Sequence, residues 1–291
     1  MKKFLTWIGM GLSVLLLVLL SAVLIINLKF NSKKEKSFAL PEIESWEIDR
    51  SDTSVELGGR LSVFRGCADC HGANLGGKLF LDDPMIGKIY TPNITRGKGG
   101  LPADWSTTDW VRALKHGVKR DGKSLLIMPS YETTHMSRQD MGAVIAYIEQ
   151  VQPVDAEWGE TEMKPLGKLL ALLDELPTFI AEKIDHTAKL VPAMEVGPTA
   201  AYGEYLAVTC TGCHRTDFRG GKHPVPGLPD VTNITGHGEL ANYRFADFKL
   251  ALTTGKRPNG SSMNAEAMPW PMLTVLNDVE LEALFIYLKS L

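Results

Sequence analysis

Two short motifs of the same kind contain all four cysteines of the chain: Cys67-Ala68-Asp69-Cys70-His71 and Cys210-Thr211-Gly212-Cys213-His214. Two thiols at this spacing can form thioether bonds to the two vinyl groups of a haem, and the histidine that follows is then aimed at the iron. The motifs therefore predict two covalently bound haem c groups. Their expected attachment points are Cys67, Cys70, Cys210 and Cys213, with His71 and His214 as iron ligands.

Two other uses of paired cysteines fit the sequence less well. A four-thiolate zinc site would leave both following histidines unexplained, and it would join two halves that each look complete. A thioredoxin-like redox pair requires a surrounding βαβ pattern, which neither motif has. Covalent haem is the prediction that uses every cysteine and both adjacent histidines.

The sixth ligand of each iron decides between electron transfer and small-molecule chemistry. Met128 and Met268 are the predicted distal ligands, because each precedes a proline and stands between the last two helix-like segments of its half. A thioether sulfur favours the reduced iron and closes the site against substrate. Met263 is an alternative to Met268. Other histidines could replace a methionine in principle, although none stands at matched places in both halves: His116, His135, His186, His223 and His237.

Six further methionines are expected to fill the hydrophobic core, since an unbranched thioether adapts to irregular gaps. They are Met85, Met136, Met141, Met163, Met194 and Met272.

The chain repeats its landmarks at an offset of about 140 residues. After each cysteine motif come an Asn-Ile-Thr segment, a helix-like stretch that ends at a glycine, a Met-Pro pair and a final amphipathic run. The Asn-Ile-Thr segments are residues 93–95 and 233–235, and the helix-like stretches are residues 108–117 and 246–255. The final runs are residues 137–150 and 277–289, with Tyr147 and Tyr287 at equivalent places. Ser137 and Asn277 are suitable N-caps for the final runs. Strand signals are weak, so the predicted fold class is all-α.

The stretch from Phe4 to Leu28 carries no charge and, at about 1.5 Å per residue, is long enough to cross roughly 30 Å of hydrocarbon. We predict an uncleaved transmembrane helix. A cleaved signal is the alternative, because Met1-Lys2-Lys3 is a suitable positive start, but the apolar stretch exceeds the usual 7–15 residues. The lysines after the stretch favour a cytoplasmic C-terminal side, whereas large domains translocate regardless of such charges. These lysines are Lys29, Lys33, Lys34 and Lys36.

The predicted division of the chain has five parts: 1–35, the anchor and its flank; 36–52, a linker; 53–153, the first haem domain; 154–198, a partly helical connector; and 199–291, the second haem domain. The connector has no counterpart in the repeat. Its apolar stripe fits packing against both domains, with an interfacial membrane helix or a partner-docking surface as alternatives. With 31 basic and 34 acidic residues in 291, the net charge of −3 offers no basic excess for phosphates, which argues against nucleic-acid binding.

These features resemble the diheme and multiheme c-type cytochromes that serve as membrane-anchored electron-transfer subunits of periplasmic dehydrogenases, especially alcohol and gluconate dehydrogenases. The resemblance is strongest over residues 53–153. It rests on the first cysteine motif, Thr91-Pro92-Asn93-Ile94-Thr95, Trp105-Ser106, the segment 110–117, Met128-Pro129 and Tyr147. Residues 199–291 match more loosely, with Thr232 at the place of Pro92 and Tyr243 at the place of Trp105.

The resemblance implies a transmembrane helix followed by two tandem, class I-like cytochrome c domains. It implies that Asn93, Thr95 and Trp105 lie near the haem propionates, and that the catalytic dehydrogenase subunit is a separate chain. It also implies that the haem domains lie on the periplasmic side of the cytoplasmic (inner) membrane.

The predicted function is an electron relay rather than an enzyme by itself. Single electrons would arrive from a dehydrogenase or a quinol-oxidising complex and leave toward an acceptor such as a terminal oxidase, with no catalytic acid or base in this chain. One alternative is the diheme subunit of a haem-copper oxidase. Another is a diheme enzyme, a peroxidase or a thiosulfate dehydrogenase-like protein, which would need an open or unusually ligated haem.

Overall fold

The computed structural model describes residues 2–43, 46–225 and 227–291. Met1 of the positive start, residues 44 and 45 of the predicted linker, and Pro226 lie outside the described residues. The helices are α1 (Lys2–Lys34), α2 (Asp52–Phe64), α3 (Cys67–His71), α4 (Thr107–Leu114), α5 (Ser130–Thr133), α6 (Arg138–Gln150), α7 (Pro165–Leu172), α8 (Ala200–Ala207), α9 (Thr211–His214), α10 (Phe245–Thr254) and α11 (Asp278–Ser290). Short 3-10 helices cover Ile180–Lys183, Val208–Cys210, Glu239–Asn242 and Trp270–Val275.

Each half is built on a crossed pair of helices, α2 with α6 and α8 with α11. Glycines allow the close crossing: a Cβ at Gly58 would lie 1.9 Å from the carbonyl oxygen of Ala143, and one at Gly203 would lie 2.0 Å from that of Ala283. The predicted all-α class with two similar halves is confirmed. One continuous hydrophobic core runs through both halves.

The predicted caps of the two final helices are present. The Ser137 hydroxyl accepts a 3.1 Å hydrogen bond from the backbone N–H of Asp140, and the Asn277 side chain accepts one of 3.0 Å from that of Glu280. Each cap satisfies a backbone donor that the first helical turn leaves free.

A small antiparallel sheet in the described part of the chain was not expected from the sequence. Its strands are β1 (Lys78–Asp83), β2 (Gly87–Thr91) and β3 (Glu162–Met163), in the order β1-β2-β3. The Asp83-Pro84 pair was the available signal, because the Asp83 carboxylate accepts hydrogen bonds from the N–H groups of Met85 and Ile86 and closes the turn. The expectation that Met85 fills the core was wrong: its side chain is 63% exposed at this turn.

Helix α1 is long and apolar enough to cross a membrane, and most of its length contacts nothing else in the described protein. Its last turns pack on the connector: the ring of Phe30 lies 5.2 Å from that of Phe179, and both belong to a second small core with Met163 and Ala171. The connector also reaches the first half, where the backbone N–H of Arg138 donates to the carbonyl of Val191 at 2.8 Å.

Candidate haem sites

The two cysteine motifs have the same local geometry. Each ends a short helix, α3 or α9, and is followed at the same distance by a residue in the left-handed region, Leu75 with φ 58° and Phe218 with φ 57°. The carbonyl of each accepts a 3.0 Å hydrogen bond from the isoleucine of the Asn-Ile-Thr segment of its own half, Ile94 or Ile234. The sequence repeat is therefore also a repeat of backbone contacts around the motifs.

Both motif histidines are oriented by a backbone carbonyl. The Nδ1 atom of His71 donates to the oxygen of Pro92 at 2.8 Å, and that of His214 donates to the oxygen of Thr232 at 2.8 Å. Burial lowers the pKa of both imidazoles, which keeps them neutral near pH 7. With the proton on Nδ1, the lone pair of Nε2 is available to a metal ion.

The four cysteines are unpaired thiols that burial keeps protonated. Burial raises the pKa of Cys67 and Cys210 to about 12 and also raises the pKa of Cys70 and Cys213. Zinc needs thiolates that converge on one point. Within residues 2–43, 46–225 and 227–291, no three His, Cys, Asp or Glu side chains are placed to hold a metal ion, so the geometry gives the zinc alternative no support.

The backbone after the two predicted methionine ligands is the same in both halves. Pro129 has φ −78° and ψ 57°, and Pro269 has φ −74° and ψ 55°. The carbonyl of Met128 accepts a 2.8 Å hydrogen bond from the N–H two residues later, and that of Met268 accepts one of 2.6 Å from the corresponding N–H. Met128 and Met268 are therefore structural equivalents.

Met263 corresponds to a different residue of the first half. Its N–H donates to the carbonyl of Gly255 at 2.7 Å, just as the N–H of Leu125 donates to the carbonyl of Gly117 at 2.7 Å. Leu125 has no atom that could bind iron. This correspondence favours Met268 over Met263 as the distal ligand of the second half, although both side chains line the same cavity.

A largely apolar cavity of about 300 Å³ in the second half brings the predicted ligands together. Cys210, Cys213, His214 and Met268 all line it. Two thiols, an imidazole with a free Nε2 and a thioether around an apolar space form the donor set that haem c requires. The residues present therefore fit the group.

The alternative histidines are less suited to bind iron. His223 lines the cavity, but its Nδ1 accepts a 2.9 Å hydrogen bond from the N–H of Val225 and its Nε2 donates to the oxygen of Ala267 at 3.1 Å. The Nδ1 atoms of His116 and His186 lie 3.0 Å apart and bond to each other. His135 and His237 are exposed.

Of the three predicted haem-environment residues, Asn93 and Thr95 are occupied with the protein itself. The Asn93 carbonyl accepts from the Thr95 N–H and hydroxyl at 2.9 and 2.7 Å, and its amide donates to the Val154 carbonyl at 2.6 Å. Trp105 differs, because its buried Nε1 has no hydrogen-bond partner in the described part of the chain. An indole donor of this kind suits a haem propionate. In the second half, the Tyr243 hydroxyl donates to Glu239 at 2.8 Å instead.

The sequence reasoning missed Arg65 and Glu132, which lie between the two motifs. Arg65 precedes the first motif, and its Nη1 donates a 2.6 Å hydrogen bond to the hydroxyl of Thr209, the residue before Cys210. A Cβ at Gly212 of the second motif would lie 2.9 Å from Oε1 of Glu132. Burial raises the pKa of Glu132 to about 7.

A reciprocal contact completes this interface. Met272 follows Met268 by the same interval at which Glu132 follows Met128, and a Cβ at Gly66, beside the first motif, would lie 3.8 Å from Cε of Met272. Each half thus places the turn after its Met-Pro pair against the cysteine motif of the other half. The matched interval after the two Met-Pro pairs was a sequence signal for this role.

The comparisons with known proteins agree with this geometry. The family model described as cytochrome c matches residues 55–152 and 200–291. The fructose dehydrogenase cytochrome subunit of Gluconobacter japonicus is 25% identical over 81% of this chain and 52% of its own length. The cytochrome c subunit of the quinone-dependent alcohol dehydrogenase of Gluconacetobacter polyoxogenes is 26% identical over 84% of this chain and 57% of its own.

A third relative, the gluconate 2-dehydrogenase cytochrome c subunit of Pantoea cypripedii, is 31% identical over 56% of this chain and 38% of its own length. The chain thus spans about half the length of the first two curated relatives and less of the third. All three relatives are cytochrome subunits of dehydrogenases.

Proposed function

Because the chain belongs to the cytochrome c family, whose members bind haem c covalently, we propose that it carries two haem c groups and relays single electrons between redox proteins. Haem c supplies an iron centre that gains and loses one electron. The protein would hold that centre, set its potential through the residues that bind the iron and exclude competing reactions.

The observation that carries the proposal is the hydrogen bond between Arg65 and Thr209. Arg65 stands two residues before Cys67 and Thr209 directly precedes Cys210, and their side chains meet at 2.6 Å across the interface of the halves. The two attachment sites therefore lie at one interface rather than at opposite ends of the molecule. Such an arrangement suits transfer of an electron from one half to the other.

The side chains around each site would hold the iron of haem c. Nε2 of His71 and of His214 is oriented by the bond that Nδ1 makes, and the equivalent Met128 and Met268 would supply a second ligand. A thioether ligand would leave no open position for peroxide or oxygen. Because both halves share this Met-Pro geometry, a relay is favoured over a peroxidase or a thiosulfate dehydrogenase-like enzyme.

A dehydrogenase is the proposed electron donor, because the relatives named above are cytochrome subunits of dehydrogenases. Helix α1 would anchor the chain in the cytoplasmic membrane with both haem domains on the periplasmic side, where haem c is attached. The segments of the first half that resemble the cytochrome subunits of dehydrogenases favour a dehydrogenase-linked relay over the diheme subunit of a haem-copper oxidase.

The test is a haem count combined with spectroscopy of the purified full chain. We expect two haem c groups per chain, low-spin electron paramagnetic resonance signals from both, and no binding of carbon monoxide by the native reduced protein. A single haem per chain would contradict the duplicated site. A high-spin haem that binds carbon monoxide or peroxide would contradict the relay and favour an enzyme.

A further inference from the structure

We propose that helix α7 lies in the headgroup region of the bilayer that α1 crosses, and that α7 and the β1–β2 turn form a second, lipid-facing contact of the first half with the membrane. This lipid-facing patch consists of Leu169, Leu173 and Met85. The inference rests on the proposed anchoring by α1, and it adds a surface, a depth and an orientation to it.

The depth of α7 follows from its contacts with α1. The Nζ atom of Lys168, in the middle of α7, donates to the side-chain oxygen of Asn27 at 2.5 Å and lies 5.5 Å from the ring centroid of Phe30. Asn27 and Phe30 flank the end of the uncharged stretch, which closes at Leu28. A helix docked at this level lies where hydrocarbon gives way to headgroups.

After α7, the connector contacts α1 at residues farther from the apolar stretch. The Nζ atom of Lys33, about one turn beyond Phe30, bonds to Glu182 at 2.7 Å, and Glu182 belongs to the 3-10 helix after α7. The Nζ atom of Lys36 also donates to the Glu182 carboxylate, at 3.1 Å. These charged contacts lie beyond the apolar stretch, so α7 lies nearer to the membrane than the 3-10 helix that follows it.

The composition of α7 suits a lipid interface. Helix α7 contains Leu166, Leu169, Leu170 and Leu172, and Leu173 is its C-cap. Its small residues Gly167 and Ala171 are the buried ones, whereas Leu173 is 61% exposed and Leu169 is partly exposed. A helix that packs through its small residues and leaves leucines uncovered would present an apolar surface to water. Lipid beside α1 covers that surface without any further protein.

The β1–β2 turn packs against the start of α7, where a Cβ at Gly167 would lie 2.3 Å from the carbonyl oxygen of Ile86. The Nζ of Lys164 donates to the carbonyl of Pro84 at 2.8 Å, and its backbone N–H donates to the carbonyl of Ile86 at 2.9 Å. Met85, between these two residues, is 63% exposed. The turn is thus held against the start of α7 with its one large flexible apolar side chain uncovered.

The flanking charges set the limit of insertion. Lys29 and Lys34 are exposed near the end of α1, and Lys164 directly precedes α7, so their ammonium groups can reach lipid phosphates while their stems stay in apolar surroundings. Asp174 and Glu175 directly follow Leu173 and are exposed. The leucine side chains therefore enter the headgroup layer, while the backbone at the end of α7 returns to water.

The experiment uses single introduced cysteines in the haem-loaded full chain, whose native thiols are bonded to haem and take up no label. Nitroxide is attached at Leu173→Cys, Met85→Cys and Leu250→Cys, and the protein is placed in nanodiscs that contain anionic lipid. Leu250 is the matched control, because it is a 45% exposed leucine on α10 of the second half. Leu16→Cys, within α1, reports the anchor itself. The measurement is accessibility to oxygen against a water-soluble nickel chelate.

At each label we compare accessibility to oxygen with accessibility to the chelate. We expect this oxygen-to-chelate ratio at residues 173 and 85 to lie between the ratio at residue 16 and the ratio at residue 250. Suppose that the label at residue 16 is in lipid but the labels at residues 173 and 85 are as accessible to the chelate as the label at residue 250. That result would overturn the lipid-facing patch and leave the anchor intact. A chelate-accessible label at residue 16 would overturn the anchor and the patch together.

Discussion

Arg60 and Tyr205 occupy equivalent positions in the two halves, and each binds the carboxylate at the third position of the other half's final helix. The Arg60 guanidinium meets Glu280 at 3.0 and 3.1 Å, and the Tyr205 hydroxyl donates to Asp140 at 2.5 Å. The equivalence follows from Gly58 and Gly203, which stand two residues earlier at the matching helix crossings. The halves therefore pack with an approximate two-fold relation that brings the cysteine motifs together.

We expect the substitution Arg60→Met to lower the free energy of unfolding by about 2 kcal/mol, because it leaves the buried Glu280 carboxylate without its cation. The measurement is denaturant unfolding of the haem-loaded protein. The control is Arg50→Met, whose pair with Glu149 is more exposed and should contribute less than about 1 kcal/mol. Equal losses in the two variants would show that the Arg60 pair does not stabilise the interface.

Removal of one cysteine from each motif should impair haem attachment in one half only. Cys70→Ala and Cys213→Ala each break one of the two thioether links of their own site, so each variant is expected to retain about one firmly bound haem per chain. The haem count of denatured, extracted protein measures this. Two intact haems in both variants would refute covalent attachment through the duplicated motifs.

Replacement of the proposed distal methionines should lower one redox potential at a time. Imidazole stabilises oxidised iron better than a thioether does, so Met128→His and Met268→His should each shift one midpoint downward by on the order of 100 mV or more while haem stays bound. Met263→Leu is the control and should leave both midpoints unchanged, because its equivalent in the first half is Leu125. A redox titration that moves in Met263→Leu but not in Met268→His would reverse the assignment.

The buried Glu132 should make stability depend on pH. Its pKa in the folded protein is about 7 against 4.5 for the exposed group, so the folded state holds this proton more tightly than the unfolded state. The free energy of unfolding should then fall as pH rises from 4.5 toward 7, by about 2 kcal/mol.

The variant Glu132→Gln tests this dependence, since an amide does not titrate. The difference in unfolding free energy between pH 5 and pH 7 should shrink relative to the unsubstituted protein. Glu266→Gln, at an exposed carboxylate, should leave the difference unchanged. An undiminished difference in Glu132→Gln would show that another group is responsible.

Much of the architecture could be predicted from sequence because its signals are local. The cysteine spacing, the adjacent histidine, the helix caps and the Met-Pro pairs act over a few residues, and their repetition revealed two similar halves. The hairpin of β1 and β2 escaped prediction because its strands are short and half exposed, so neither shows a clear alternation of apolar residues. Met85 was misjudged for a related reason, since residue type alone does not reveal exposure at a turn.

The sequence by itself determined the helical class and the long apolar N-terminal helix, and it predicted the haem-attachment chemistry and the proximal histidines, because each is set by residue types at short spacing. Only the tertiary structure decided that Arg65 meets Thr209 across 144 positions and that Arg60 meets Glu280 across 220. It also decided that α7 docks beside the end of α1. Such contacts depend on how two independently patterned halves and a connector pack, and no local pattern encodes the relative placement of surfaces so distant in the chain.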